Sequence, residues 1–405
     1  MRIRGFLRGV REAMYFLSKS MAVRLHAYQI PEEIKMHLQE QVMQVDSPGC
    51  RTRTRKGCSL SKPKGLGEDG DHFEEAVADV GELPERTGIT ESGYPFFTGM
   101  DYISRGLPMA QEPTIHEIFE PVTGTWQYIV ADPSTKAAVI IDSVLDFDPA
   151  KNAISTQTAD GLLNVVKENG YNVVNILETH VHADHLTASK YLQSRLREAQ
   201  DGAAPKICIG RRIGVVQERF AEKYGISKDE YANAFDRLLD DDEVFEIGDL
   251  KAKAIHLPGH TPDHMGYMIG ANVFAGDSLF NHDVGSARCD FPGGNARDLF
   301  ASVRRLLDLP ETTKIWTGHD YPPANRGPLA ATEVAKQKLE NKHLAQNVTE
   351  EDFVKWREER DSGLGEPRLM HWALQVNVRA GNMPSPTKAG DRLLHVPVKM
   401  QGVTW

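Results

Sequence analysis

Regular hydrophobic periods in this chain begin near Pro113 and continue almost to the C-terminus. Ile115-His-Glu-Ile-Phe-Glu, Trp126-Gln-Tyr-Ile-Val and Ala137-Ala-Val-Ile-Ile141 predict three successive strands, with turn signals at Thr123-Gly124 and Asp132-Pro133-Ser134. Ala159–Glu168 has helical spacing and stops before Gly170. Val173-Val174-Asn175-Ile176-Leu177 predicts a buried strand, and Leu186, Tyr191, Leu192 and Leu196 mark a helix over Thr187–Ala199. A strand at Lys206–Ile209 and a helix at Ile213–Tyr224 follow. Further strands are expected at Val244–Glu246, Ala252–Leu257, Tyr267–Ile269 and Val273–Ala275, then a helix at Leu299–Leu307 and a strand at Lys314–Thr317. From Glu333 the pattern is helical through His343, and again from Glu350 to Asp361, before Leu374-Gln-Val-Asn-Val378 predicts a closing strand. Strands and helices thus alternate, with strand pairs between them, which predicts an α/β protein with a layered sheet core and helices outside.

Composition changes the picture mainly at the N-terminus. The net charge is −10, yet the first 64 residues carry 13 Lys/Arg against 5 Asp/Glu, leaving −18 for the remainder. An acidic body argues against nucleic acid as its partner, and no apolar run is long enough to span a bilayer, so no membrane role is expected. Residues 1–45 form a basic leader in which arginines interleave with Ile3, Phe6, Leu7 and Val10, a pattern that suits either a mitochondrial transit peptide or dispensable upstream sequence. Residues 46–112, with the basic run Arg51–Lys56, predict a disordered linker. A catalytic domain is expected over 113–330, with C-terminal helices and a strand packed on it over 331–405. Four scattered cysteines without a C-x-x-C favour a reducing compartment, so mitochondrion or cytoplasm.

The candidate chemistry centres on Thr179-His180-Val181-His182-Ala183-Asp184-His185, where four metal-competent side chains fall in six residues between a strand and a helix. Three more strand ends repeat the theme: Pro258-Gly259-His260, Gly276-Asp277 and Gly318-His319 each place a ligand type directly after a glycine. One such histidine is usually structural; the repetition has no economical structural explanation. His180, His260 and Asp277 can form a facial two-His, one-carboxylate set of the kind that suits iron(II) oxygen chemistry. Adding His182, Asp184, His185 and His319 supplies enough ligands for two zinc ions and a hydrolytic hydroxide. Spacing alone leaves both open. His256, four residues before His260, is expected to be packed or exposed rather than a ligand.

At these residues the chain resembles the metallo-β-lactamase superfamily, from about Ile115 to Tyr321. Within it, the chain most resembles the persulfide dioxygenases, in particular their bacterial-type branch and similar fungal proteins. The segments that carry this are Thr179–His185, Pro258-Gly-His-Thr-Pro262, Gly276-Asp-Ser-Leu-Phe280, Ala287-Arg-Cys-Asp-Phe-Pro-Gly-Gly294, Gly318-His-Asp-Tyr321 and Val376-Asn-Val-Arg-Ala-Gly381. The resemblance implies an αββα sandwich preceded by a disordered or weakly structured N-terminal extension. It implies one Fe(II) per chain on His180, His260 and Asp277, with His182, Asp184, His185 and His319 either supporting it or holding a second metal. It implies oxidation of glutathione persulfide by O2 and water to sulfite and glutathione. Arg288 and Tyr321 would contact substrate, Asp290 would support Arg288 or pair with it, and Asn377 and Arg379 would close over the site. A homodimer is compatible with this reading. The chain departs from many relatives in carrying Ala380 where they have cysteine, and in Asn281–Ser286, which differs from the animal and plant pattern. Two rival functions share the fold: a binuclear zinc thioester hydrolase of the glyoxalase II kind, and a non-catalytic sulfide-sensing or binding module.

Overall fold

The first three apolar runs fold into the antiparallel strands β1 (Thr114–Glu120), β2 (Thr125–Ala131) and β3 (Ala137–Ile141). Their turns are closed by carboxylates: Glu120 accepts from the backbone N–H groups of Val122 and Thr123, and Asp132 from that of Ser134. The computed structural model describes residues 112–400 and Gly402, all within the unit Phe96–Trp405. The expected leader and linker lie outside the described residues, apart from Glu112, whose carboxylate accepts from Asn272 Nδ2 at 2.8 Å.

Two short strands that the periodicity did not reveal come next, β4 (Val144–Asp148) and β5 (Ala153–Ser155). Then follow α1 (Gln157–Asn169), β6 (Asn172–Leu177), β7 (Leu186–Thr187), α2 (Ser189–Ala199), β8 (Lys206–Gly210), α3 (Ile213–Tyr224), the single turn α4 (Lys228–Tyr231) and β9 (Arg237–Leu239). The first sheet has the order β1-β2-β3-β6-β8-β9, with β3, β6, β8 and β9 parallel. The second sheet, in sequential order, contains β10 (Val244–Ile247), β11 (Leu250–His256), β12 (Met265–Ile269), β13 (Asn272–Gly276), β14 (Lys314–Thr317) and β15 (Ala331–Glu333). Between β13 and β14 lies α5 (Ala296–Leu307), N-capped by the Asn295 side chain. The chain closes with α6 (Val334–Glu340), α7 (Glu350–Ser362) and α8 (Met370–Asn377).

The main core lies between the two sheets, where Tyr128, Val139 and Ile141 of the first meet Phe245, Tyr267 and Phe274 of the second. Helices α1, α2 and α8 cover the outer face of the first sheet, and α5 and α7 that of the second. The layers are therefore αββα, as expected. Two readings need correction. Leu374–Val378 is not a strand but the end of α8 and the residue after it. Its alternating apolar residues face two different clusters, Val376 toward the α1–α2 side and Leu374 and Val378 toward α3, so helical packing on two sides imitates a strand period. The helical stretch from Glu333 ends at Glu340 rather than His343. In addition, β15 joins the second sheet, so residues beyond 330 extend the sheet as well as packing on it.

Candidate metal centre

The ends of four strands converge at one edge of the sandwich. The Glu178–His185 turn leaves β6, the Pro258–His260 turn leaves β11, Asp277 follows β13, and His319 follows β14. Backbone hydrogen bonds lace these turns together: Met265 N donates to Thr179 O at 2.7 Å, Gly318 N to Gly276 O at 2.8 Å, and Trp126 N to Gly318 O at 2.8 Å. Two glycines make that proximity feasible. Gly276 sits at φ +48°, and a Cβ there would lie 2.6 Å from Thr179 Oγ1. A Cβ on Gly318 would collide with the Asp277 carboxylate.

All seven ligand candidates come together. The donor atoms of His180, His260 and Asp277 lie within 4.8 Å of one another, as do those of His182, Asp184, His185 and His319. The two groups adjoin, since His319 Nε2 is 3.5 Å from Asp277 Oδ2 and 3.3 Å from Asp184 Oδ2, while His260 Nε2 is 3.6 Å from Asp277 Oδ2. Buried polar atoms normally have hydrogen-bond partners. Here His180 Nε2, His182 Nδ1, Asp184 Oδ2, His185 Nε2, Asp277 Oδ1 and His319 Nε2 are buried without one. Asp277 turns Oδ1 toward Gly318 and Oδ2 toward His260 and His319; the other five atoms are lone nitrogen and oxygen donors that a divalent cation would satisfy.

The outward nitrogens are held as metal ligands require. The Thr179 hydroxyl donates to Asp142 Oδ2 (2.8 Å), so its oxygen accepts from His180 Nδ1 (3.0 Å) and leaves His180 Nε2 as the free donor atom. His260 Nδ1 donates to Arg288 O at 2.7 Å and His185 Nδ1 to Leu186 O at 3.2 Å, with the same consequence. His182 is the reverse case: its Nε2 lies between Asp142 Oδ1 (3.2 Å) and Glu178 Oε2 (3.3 Å), so Nδ1 faces the centre.

Electrostatics divide the rings: against burial, Asp142 holds His182 well above its ordinary value and Asp277 and then Asp184 raise His319, whereas two other rings are lowered. Burial and then the neighbouring His182 ring hold His180 well below its ordinary value, and bring His185 down to about 3, so both rings stay neutral and able to ligate. Burial alone would raise Asp184, but the facing His319, His185 and His182 rings bring it down to about 2. For Asp277 burial outweighs His319 and His260 and lifts the carboxyl above its usual range, the signature of a buried acid short of positive charge.

Three neighbours of the centre escaped the sequence reading. Asp142 and Glu178 orient His182, and each directly follows or nearly follows an apolar strand, which is the same signal that flagged Asp277. His264 stacks on His180 with centroids 4.8 Å apart, and its Nε2 accepts from Asp277 N at 3.0 Å, so its Nδ1–H is turned to Ser278 Oγ. It buttresses two ligand candidates without facing the centre. His256, as expected, points elsewhere, toward Pro262 O at 3.1 Å.

A cleft of about 570 Å³ opens over the centre, lined by Asp184, His260, Asp277 and His319 and, nearer the mouth, by Arg288 and Tyr321. Arg288 forms a bidentate pair with Asp290 (2.5 Å for both bonds) and also donates to Gly365 O. Tyr321 stacks on His319, with centroids 5.9 Å apart and planes 6° from parallel. Asn377 and Arg379 do not line the cleft, which corrects the expectation that they close over it. Asn377 is buried behind the histidine turn: Nδ2 donates to His182 O and His185 O (2.8 Å each), and Oδ1 accepts from Thr187 N (2.9 Å). Arg379 is spent on Gln375 O (2.6 Å) and Glu230 Oε2 (3.1 Å). Asn377 ends α8 and Arg379 follows two residues later; α8 packs behind the centre rather than over it.

Two stacked sheets with a histidine- and aspartate-rich centre at their shared edge define a metal-binding αββα enzyme fold. The chain belongs to the metallo-beta-lactamase superfamily, whose sequence signature matches residues 121–319. It is 42% identical over 298 residues to a beta-lactamase hydrolase-like protein of Agrobacterium fabrum, covering 73% of this chain and 67% of that one. It is 40% identical over 293 residues to glyoxylase B2 of Dictyostelium discoideum, covering 72% and 98%. Mitochondrial persulfide dioxygenase ETHE1 of Homo sapiens is 29% identical over 276 residues, covering 67% and 90%. Among solved structures, ETHE1 of Myxococcus xanthus superposes with a TM-score of 0.53 at 28% identity, covering 66% of this chain and all of that one. Among the described residues no helix is long and apolar enough to cross a membrane.

Proposed function

We propose that this chain is an iron-dependent persulfide dioxygenase, oxidising glutathione persulfide with O2 and water to sulfite and glutathione. The observation that carries the reading is the His180, His260, Asp277 group, of which His260 and Asp277 line an open cleft and His180 Nε2 is buried with no hydrogen-bond partner among the described residues. The similarity to ETHE1 along nearly its whole length supports the choice within the superfamily. These three side chains would hold one Fe(II), which supplies the dioxygen activation that zinc, lacking redox chemistry, cannot.

The remaining work falls to the chain's own groups. His260 is fixed by Arg288 O, which ties one ligand to the cleft wall that substrate would touch. Arg288, already bound to Asp290, offers a rigid edge for an anionic group. Farther out, Lys342, Arg360 and Arg368 are exposed on the cleft wall with no ion-pair partner among the described residues. Unpaired cations around a cleft in an acidic protein favour a polyanionic substrate, and glutathione persulfide carries two carboxylates and an acidic sulfur. The tyrosine ring stacked on His319 leaves a hydroxyl at the mouth to donate to bound substrate. We assign residues 113–330 to the catalytic domain and 331–405 to C-terminal elements packed on it, with β15 joining its second sheet, and read 1–45 as a basic leader that is either a mitochondrial transit peptide or dispensable upstream sequence.

A second reading has its own support. The His182, Asp184, His185, His319 group is complete, and glyoxylase B2 is 40% identical, so a binuclear zinc thioester hydrolase fits the same centre. Metal analysis of protein made without added zinc, with an oxygen-electrode assay on glutathione persulfide and a hydrolysis assay on S-lactoylglutathione, separates the two. About one iron per chain with O2 consumption and no thioester turnover is expected. Two zinc ions per chain with thioester turnover would establish the hydrolase instead. Metal-loaded protein inactive in both assays would leave a binding module.

A further inference from the structure

Arg326 lies in the loop after β14, seven residues beyond His319, and its guanidinium is saturated. Nε donates to Asp283 Oδ2 (2.7 Å) and Nη2 to Asp283 Oδ1 (2.7 Å) and Asp320 Oδ1 (2.9 Å), while Nη1 donates to Asp320 Oδ2 (2.6 Å) and Gly327 O (2.9 Å). Every one of the group's N–H donors has an acceptor. Asp320 is fully buried and sits between His319 and Tyr321. Asp283 belongs to the loop after β13, the same loop that carries Asp277, Phe280 and Arg288. One planar cation therefore bolts together the two loops that form the centre and its mouth.

The contacts between those loops show what depends on the bolt. Phe280 meets His319 edge-on (6.3 Å, 90°) and Tyr321 edge-on (6.1 Å, 84°). His319 Nε2 must span the loop boundary to lie 3.5 Å from Asp277 Oδ2. Among the described residues the His319 side chain makes one hydrogen bond, Nδ1 to Thr125 Oγ1 at a long 3.3 Å, and none from Nε2. The ring is placed by its backbone and its aromatic neighbours, and these are placed by the loops.

We propose that Arg326 is a positioning residue: by pairing with Asp283 and Asp320 at once, it sets His319 and Tyr321 against Asp277 and Phe280, and so completes the His319 side of the centre. The proposal rests on reading the cluster as a metal centre, and deepens it by assigning control of that side to a residue outside it. The loops are also joined by Asn281 Nδ2 to Leu329 O at 2.7 Å, toward β15, and at their roots by Gly318 N to Gly276 O at 2.8 Å, so the bolt is not their only tie.

The test compares the full chain with Arg326→Met, Arg326→Lys and Asp283→Asn, using Co2+ as the probe and its visible spectrum as the reading of coordination, alongside amide hydrogen exchange on the metal-free proteins. Arg326→Met should bind Co2+ about 10–100-fold more weakly, in keeping with the loss of an outer-shell partner, and with an altered spectrum. Asp283→Asn should act in the same direction, and a chain carrying both Arg326→Met and Asp283→Asn should be no worse than Arg326→Met alone. Arg326→Lys, a point charge without the fork, should fall between. In the metal-free proteins, exchange should rise together in residues 277–287 and 318–329. Wild-type Co2+ affinity and spectrum in Arg326→Met, or exchange that rises in one loop alone, would overturn the assignment. If wild-type protein takes up no Co2+, the metal reading fails while the exchange data still judge the bolt. If Arg326→Met does not fold, Arg326→Lys and Asp283→Asn carry the same comparison.

Discussion

At the scale of single residues, the centre is defined by atoms whose needs the protein leaves unmet. Asp277 shows this most clearly, a buried carboxyl lifted by desolvation although His319 and His260 face it. Asp277→Asn keeps the shape and removes the hard anion, so metal content measured by elemental analysis should fall at least about tenfold at limiting metal; unchanged content would remove Asp277 from the ligand set. Histidines kept neutral by the fold give a pH signature. Burial holds His264 well below its ordinary 6.5 and brings half-buried His343 down to about 4. On these two rings the unfolded chain takes up protons first, so their contribution to stability falls as pH drops from about 6.5 toward 4, while the raised His182 and His319 act in the opposite sense. The denaturation midpoint of metal-free His343→Gln should therefore decline less across that window than that of the metal-free wild type, and equal slopes would show that this ring is not neutral in the fold. The seven ligand candidates were legible in the sequence because four crowd into Thr179–His185 after a strand and the other three each follow a strand and a glycine. Asp142 and Glu178 were not singled out, because an acid after a strand is common and only proximity to His182 gives it meaning.

At the scale of elements, α8 is the instructive case. Its apolar residues fit a strand period, and its polar Asn377 looked like a cleft residue. In the fold it is a buried helix whose last residue holds the histidine turn by two carbonyls and the Thr187 N–H. Asn377→Ala would strand those groups in the interior, and should destabilise the protein by about 2–4 kcal/mol and weaken metal binding without directly touching the cleft. Chemical denaturation with a metal titration checks both; normal stability with lost activity would return Asn377 to the substrate. The pairing of β4 with β7 was equally invisible, since two-residue strands such as Leu186–Thr187 exist only through a distant partner. Long strands and helices with a full apolar face, such as β2 or α5, were plain from the sequence because local period and burial coincide there.

At the scale of the whole molecule, every ligand candidate and both sheets lie after Pro113, and the first described residue, Glu112, ties down the β12–β13 turn. A chain lacking residues 1–108 should therefore fold, bind metal and keep its activity; an insoluble or inactive product would make the extension part of the enzyme. The sequence by itself determined the alternation of strands and helices, the layered class, and the residue types of the centre, because each depends on local periodicity or on side-chain chemistry. Only the tertiary structure decided which of those residues share a centre, which back it from behind as Asn377 and His264 do, and how Arg326 joins two loops that bear its ligands. Those relations are distances between strand ends far apart in the chain, set by how two sheets stack, and no local pattern encodes them.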